Sequence, residues 1–284
     1  MKQVLFAIAV VFTIVSTTGR CVNFTVSNNS DAGAGSLRQA IIDANLAGGG
    51  TITFSGVSGT IALESSLPLL VTNTIILGPG VNELTVSAAT APVLTNALGS
   101  TAYIRGLRLT SIGVPRLTSI GGVVYNLGRL TLNECVVSDG NKDGPGAGIY
   151  NAGSMYLQNC VVTNNLGFCP SCRGAGIYNS GDLSMDDCTV SGNETRYNGG
   201  GIYNAGTMDL SRCIISDNRA EFGAGFGIYN SGTARLNACT VAGNFYFGAG
   251  PGGGLFNSSG TMFLRNCSVT NNTSTSGGGI SNSG

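Results

Sequence analysis

The chain contains no histidine, so any chemistry has to come from carboxylates, arginines, lysines, tyrosines or thiols. That absence also removes the usual general base and the commonest zinc ligand. Three groups of residues remain as candidates. The first is acidic: Glu134, and further along the adjacent Asp186 and Asp187. Two carboxylates at a suitable separation can hydrolyse a glycosidic bond, one as acid and one as base. The second is aromatic. Tyr125, Tyr150, Tyr178, Tyr203, Tyr229 and Phe256 each stand directly before an asparagine. Rings with hydroxyl tips suit sugar faces or protein surfaces. The third is sulfur: Cys135, Cys160, Cys188, Cys213, Cys239 and Cys267 recur regularly, and Cys169 and Cys172 spell Cys-Pro-Ser-Cys.

These residues are positioned by a repeat. Asn126, Asn151, Asn179, Asn204, Asn230, Asn257 and Asn282 follow one another at 25 to 28 residues, and the cysteine series keeps nearly the same period. Within a copy the apolar residues alternate, as in Leu130 and Leu132 and again in Cys135 and Val137, with no helical period. Short strands and tight turns repeating at this length describe the coil of a parallel β-solenoid. Equivalent residues then stack roughly 4.8 Å apart. Leu, Ile, Val and Cys columns form a core that no single coil could bury, and the asparagines form an amide ladder. The cysteine column reads as buried free thiols rather than disulfides or a metal site.

Stacking also converts spacing into distance. Glu134, Asn159, Asp187, Arg212, Ala238 and Asn266 share a column, which puts Glu134 and Asp187 two coils apart, roughly 9 to 10 Å. That is the upper limit for an inverting carboxylate pair. Arg212, one coil beyond, is expected to neutralise Asp187. In the column Asp139, Asn164, Gly192, Asp217, Gly243 and Asn271, the two acids are roughly 14 Å apart, too far to share a calcium ion. If Ile149 and Asn151 point inward, Tyr150 points out, and the six aromatics form an external stripe. Either the stripe binds a ligand, or it only stabilises one face beneath glycine-rich loops. Cys169–Cys172 is expected as a local disulfide pinning the longest inter-repeat stretch.

Residues 1–19 read as a secretory signal: Lys2, then an apolar run from Val4 to Val15, then small residues. Residues 22–50 read as a strand–helix cap. Asn23 to Ser27 alternates, Ser36 and Gln39 fit a capping box, and Leu37, Ala40, Ile41 and Ala44 share one helical face. Gly48 ends the helix. Residues 51–284 read as solenoid, with irregular coils first (Thr51–Phe54, Thr60–Leu63, Thr74–Leu77, Leu84–Ser87, Tyr103–Leu109) and regular repeats from about residue 121. A short duplication, Leu109–Gly113 and Leu117–Gly121, is expected to bulge rather than add a coil. The whole makes a rod of about nine or ten coils, roughly 45 Å long. The last residues stop just inside a new repeat with no cap, which suggests a truncation or an end open to end-to-end association. With 14 basic and 14 acidic residues, the balance gives no basic field for nucleic acid. No segment after the signal is long and apolar enough for a transmembrane helix. Asn-x-Ser/Thr triplets begin at Asn23, Asn28, Asn193, Asn257, Asn266, Asn271 and Asn272.

The segments FTVSNNSDAGAGSLRQAIIDANLAGGGTITF, ILGPGVNELTVS and GGGIYNAGTMDLSRCIISDN resemble exported right-handed parallel β-helix repeat proteins. They are also similar to polymorphic outer-membrane-protein repeats and, more distantly, to the pectin-lyase-like superfamily. The resemblance covers almost all of the chain after the signal and implies an all-β, right-handed parallel β-helix with a short N-terminal helix. Carbohydrate-active members of such families set carboxylates on neighbouring coils, with calcium or an arginine base in lyases and paired aspartates in hydrolases. Asp186-Asp187 is similar to the aspartate pair of polygalacturonase-like enzymes, but the histidine of that family is missing. The expectation is therefore a secreted or cell-surface, non-catalytic β-helix, an adhesin or structural surface protein, without cofactor. The alternative is a polysaccharide-binding or polysaccharide-degrading protein. Its partners would be a polysaccharide or a cell-surface protein.

Overall fold

The computed structural model describes residues 22–89, 92–112, 122–169, 172–246 and 251–283. The expected signal lies outside these residues, as does most of the short duplication.

The chain begins as the strand Asn23–Val26, which pairs in parallel with Gly49–Phe54. Between them runs α1 (Leu37–Leu46), whose Leu37, Ala40, Ile41 and Ala44 are buried against the first coil. Ser36 is the N-cap, its Oγ accepting from the Gln39 amide at 3.1 Å. Only half of the expected capping box forms. The Ser36 amide is already bonded to Gly33 O, so Gln39 turns its side chain to Asp43 Oδ1 at 2.8 Å. Gly48, at φ +79°, turns the chain out of the helix into the next strand.

From there every coil visits the same faces. In one representative turn, Ser154–Gln158 lies in the first sheet, Val161–Thr163 in the second, Leu166–Gly167 in a fourth and Ile177–Asn179 in the third. Each strand pairs in parallel and in register with its counterpart: Met155 with Leu183, Val162 with Val190, Ile177 with Ile202. Among the described residues the first sheet has ten strands, the second nine, the third eight and the fourth four, giving a solenoid of about nine turns. Inward positions form one continuous apolar core from Val26 to Leu255. One expectation needs correction, and some strands were not foreseen. Tyr103 to Leu109 is not one strand, because Gly106 at φ +66° breaks it into Thr101–Arg105 and Arg108–Thr110. The strand Leu94–Asn96 and the two-residue strands of the fourth sheet carry too little pattern to be seen beforehand.

The expected asparagine ladder from Asn126 to Asn282 is complete, and Asn96, not foreseen, adds an eighth rung. Each side chain from Asn96 to Asn257 donates to the amide oxygen of the next, at 2.7–2.9 Å. A second ladder, not foreseen, joins Asn165, Asn193, Asn218, Asn244 and Asn272 at 2.8–2.9 Å. Rungs such as Asn126, Asn179, Asn193 and Asn218 are completely buried, so each unmade bond would leave an unsatisfied polar group. The cysteine column runs through the core beside them. Cys135 to Cys239 are buried free thiols, bonded to backbone carbonyls such as Leu132 O, which Cys160 Sγ reaches at 3.3 Å. Hydrogen bonds with neighbouring sulfurs, together with burial, push the Cys160 and Cys213 thiols up.

Two stability predictions follow from this stacking. Asn204→Ala takes from Asn179 Nδ2 one of its three acceptors, leaves the Asn230 amide oxygen without the side-chain donor below it, and removes the side-chain bonds to Gly206 O and Thr233 O. Denaturant titration should show a loss of about 3 kcal/mol, against under 1 kcal/mol for an exposed Asn→Ala. Ala238 is held at φ 53° where its column neighbour Asn266 takes φ 54°. Since asparagine tolerates the left-handed region better, Ala238→Asn should gain about 0.5–1 kcal/mol in the same titration.

Candidate functional site

The acidic candidates sit on corners. Glu134, Asn159, Asp187, Arg212, Ala238 and Asn266 all have φ between 50° and 54°. This is the left-handed turn between the first and second sheets, where each coil bends from one face to the next. The other acidic column obeys the same rule one corner on, with Asp139, Asn164, Asp217 and Asn271 at φ 54–57° and Gly192 and Gly243 also positive. Residues that tolerate this backbone, chiefly Asn, Asp and Gly, are favoured there whatever their side chains do. That preference accounts for Asp187 and for Asp139 and Asp217, whereas Glu134, Arg212 and Ala238 take the same conformation without it.

Their electrostatics fit the same reading. Arg105, one coil before, donates from Nε and Nη2 to both oxygens of Glu134, at 2.9 and 3.1 Å. Arg212, one coil after, grips both oxygens of Asp187 at 2.8 Å and reaches Asp186 at 2.6 Å. The hydrogen bonds and charge of Arg212 hold the Asp187 carboxyl below the usual range. A glycosidase acid needs the opposite shift, because it must carry a proton near neutrality. Glu134 and Asp187 remain two rungs apart with Asn159 between them, each engaged by its own arginine. Among the described residues no group of three or more Cys, Asp or Glu is placed to hold a metal ion.

The six aromatics do form one column on the third sheet, in register. Their ring centroids are 4.7–5.4 Å apart, and the central rings lie nearly parallel, with interplanar angles of 7° for Tyr178–Tyr203 and 6° for Tyr203–Tyr229. Each ring therefore turns its faces to its neighbours, and Tyr203 and Phe256 retain only 8% and 9% exposure. What the column offers outward is edges and, from Tyr125 to Tyr229, a row of hydroxyls. Arg173 lies over the Tyr203 ring at 5.4 Å, its Nη1 3.5 Å from the hydroxyl. Burial raises the Tyr125 and Tyr178 phenols above their usual range, so these two hydroxyls stay protonated at neutral pH. Cys169 and Cys172 are joined by a disulfide, and the Cys172 sulfur lies inward, accepting from the Gly144 amide at 3.2 Å.

Sequence reasoning missed one concave feature. A shallow groove of about 500 Å³ crosses the corner between the third and first sheets. Its rim holds Arg129, Ser154 and Asp182, stacked on successive coils. Its floor is bare backbone: a Cβ on Gly153 or Gly181 would come within 2.1 Å of the carbonyl of the coil before. The Asn-Leu-Gly and Asn-Ala-Gly triplets that build it were visible, but nothing in them shows that three coils align into a depression.

No curated protein sequence matches the chain. Among solved structures, pectate lyase Pel9A is similar with a TM-score of 0.53 at 10% identity, covering 93% of this chain and 80% of that one. The A-module of mannuronan C-5 epimerase AlgE6 from Azotobacter vinelandii gives a TM-score of 0.35 at 13% identity, covering 90% and 97%. ORF18 of Geobacillus virus E2 gives 0.40 at 11% identity, covering 89% of this chain. This chain spans 60% of that viral protein's length. At such identities the likeness to the lyase is one of fold alone. The family model described as right handed beta helix region matches residues 99–284, the part built from regular stacked coils. The chain belongs to the right-handed β-helix family.

Proposed function

We propose that this protein is a secreted or cell-surface β-helix that works as a non-catalytic scaffold, adhesive or structural, rather than as an enzyme. One observation carries the reading. The two carboxylates whose spacing could suit catalysis stand on left-handed corners, each gripped through both oxygens by an arginine of the adjacent coil. Such groups brace neighbouring coils against each other and are poorly placed to exchange protons with a substrate. A fold whose surface columns repeat every coil presents regular rows of side chains, which suits adhesion or assembly.

A second reading is favoured by the hydroxyl row. Phenol rings with centroids 5.1–5.4 Å apart, each carrying a hydroxyl, with the exposed Arg173 guanidinium beside them, could follow a hydroxyl-rich polymer laid along the axis. In this reading the protein binds a polysaccharide by hydrogen bonds to ring edges, without stacking on ring faces.

Incubation of the protein with a panel of soluble polysaccharides, with and without calcium, should yield neither new reducing ends nor unsaturated products. Product that disappears in Glu134→Gln or Asp187→Asn would overturn the scaffold reading. Calorimetry on the same panel separates the second reading. Tyr178→Phe with Tyr203→Phe keeps the ring stack and removes two hydroxyls. Saturable heat that falls at least tenfold in affinity in this variant supports polysaccharide binding at the row, and heat that is unchanged excludes the row as its site.

A further inference from the structure

Among the described residues the fourth sheet forms a ledge over the coils between residues 166 and 246. Its strands Leu166–Gly167, Glu194–Thr195, Arg219–Ala220 and Phe245–Tyr246 pair in parallel, with Leu166, Glu194, Arg219 and Phe245 on consecutive rungs. Gly167, Thr195 and Ala220 point inward and are buried, so their neighbours on either side point outward. Two outward columns result. One reads Leu166, Glu194, Arg219, Phe245. The other, two residues further along each strand, reads Phe168, Arg196, Glu221.

The charges on the two middle rungs make a checkerboard. Glu194 and Arg196 lie on one rung, and Arg219 and Glu221 lie on the next. Rungs are about 4.8 Å apart and the two columns about 6.6 Å. Within the chain Arg219 pairs with Glu194, and Arg196 Nε lies 3.6 Å from Glu221. Rings flank the charges: Arg196 lies over Phe222 and Arg219 over Phe245, each at 5.7 Å. The surface is open, with Phe168 at 42% and Phe222 at 45% exposure.

A checkerboard of this kind is complementary to itself. A two-fold axis lying in the plane of the ledge brings each charge opposite one of the other sign, whether the axis runs along the solenoid or across it. Glu194 then meets the partner's Arg196 or the partner's Arg219, and the apolar first rung meets apolar residues again. Isologous contacts need this property, and arginine and aromatic side chains are the types enriched at interfaces. We propose that the ledge is a docking surface for a second copy of this chain, joined side by side. Four rungs about 4.8 Å apart and two columns about 6.6 Å apart cover far less than the roughly 800 Å² per partner of a standard interface, so the pairing is weak.

Sedimentation of the full chain over a concentration series tests this. The protein should associate to dimers at low salt and dissociate as ionic strength rises to about 0.5 M. Glu221→Arg puts like charges opposite each other in either orientation and should weaken association at least tenfold. Two compensating variants follow. Arg196→Glu with Glu221→Arg restores complementarity only for antiparallel solenoids. Arg219→Glu with Glu221→Arg restores it only for parallel ones. Recovery of the dimer in one of the two supports the proposal and fixes the orientation. A monomer throughout overturns it, as does association indifferent to salt or to Glu221→Arg, or recovery in neither double variant. The salt series on the unaltered chain needs no variant to fold and can overturn the proposal by itself.

Discussion

Side-chain amides of asparagine, each bonded to the same residue one coil away, set the condition that the rest of the molecule obeys. A primary amide is one of few side chains that can both donate and accept along the solenoid axis. At 2.7–2.9 Å per rung, the ladder from Asn96 to Asn282 fixes how far apart coils lie and which residue sits above which. Once that register is set, every other column must be compatible with its own repetition. Apolar side chains stack into a core, thiols stack on thiols, and rings stack on rings. A charge cannot stack on a like charge without penalty, so acids take an arginine on the adjoining coil, as Glu134 does with Arg105, Asp187 with Arg212 and Glu194 with Arg219.

This constraint accounts for where the acidic residues stand. The corners between faces require a left-handed backbone, and Asp and Asn accept it more readily than most residues. A sequence built for stacking therefore produces columns of acids and amides that look like a site. Arg105 and Arg212 then occupy these acids from the neighbouring coil, as repetition makes natural. The same fold hosts enzymes elsewhere, but a catalytic group must be held apart from its neighbours, with its proton affinity tuned by its surroundings. Glu134 and Asp187 each pair with an arginine of the adjoining coil.

Much of the fold was legible because identical residues recur at one phase. The Tyr-Asn pairs announced the third sheet and its ladder, and Ser36 with its apolar face announced the helix. The second ladder was hidden because Asn165, Asn193, Asn218, Asn244 and Asn272 stand among other asparagines and serines, so composition masked the phase. The fourth sheet was hidden because a two-residue strand has no alternation to read, and Leu166, Glu194, Arg219 and Phe245 share no residue type. The break at Gly106 was hidden because one glycine in an apolar run marks a bulge or a corner equally well. For the aromatic stripe the sequence gives position but not ring orientation. The parallel planes of Tyr178, Tyr203 and Tyr229 turn an expected stacking surface into a row of edges.

Hydrogen exchange of the asparagine side-chain amides tests the central claim most directly, because those protons make the rungs and the bonds that hold each rung to the strand carbonyls beside it. The account requires the Nδ2 protons of Asn179 and Asn204, which bridge coils at 2.7 Å, to be protected as strongly as the backbone amides of the adjoining strands. Both should be lost together, as the stack opens cooperatively. Exchange of these amides at the rate of an exposed asparagine, while the strand amides stay protected, would show that the coils hold their register without the ladder and would contradict the account.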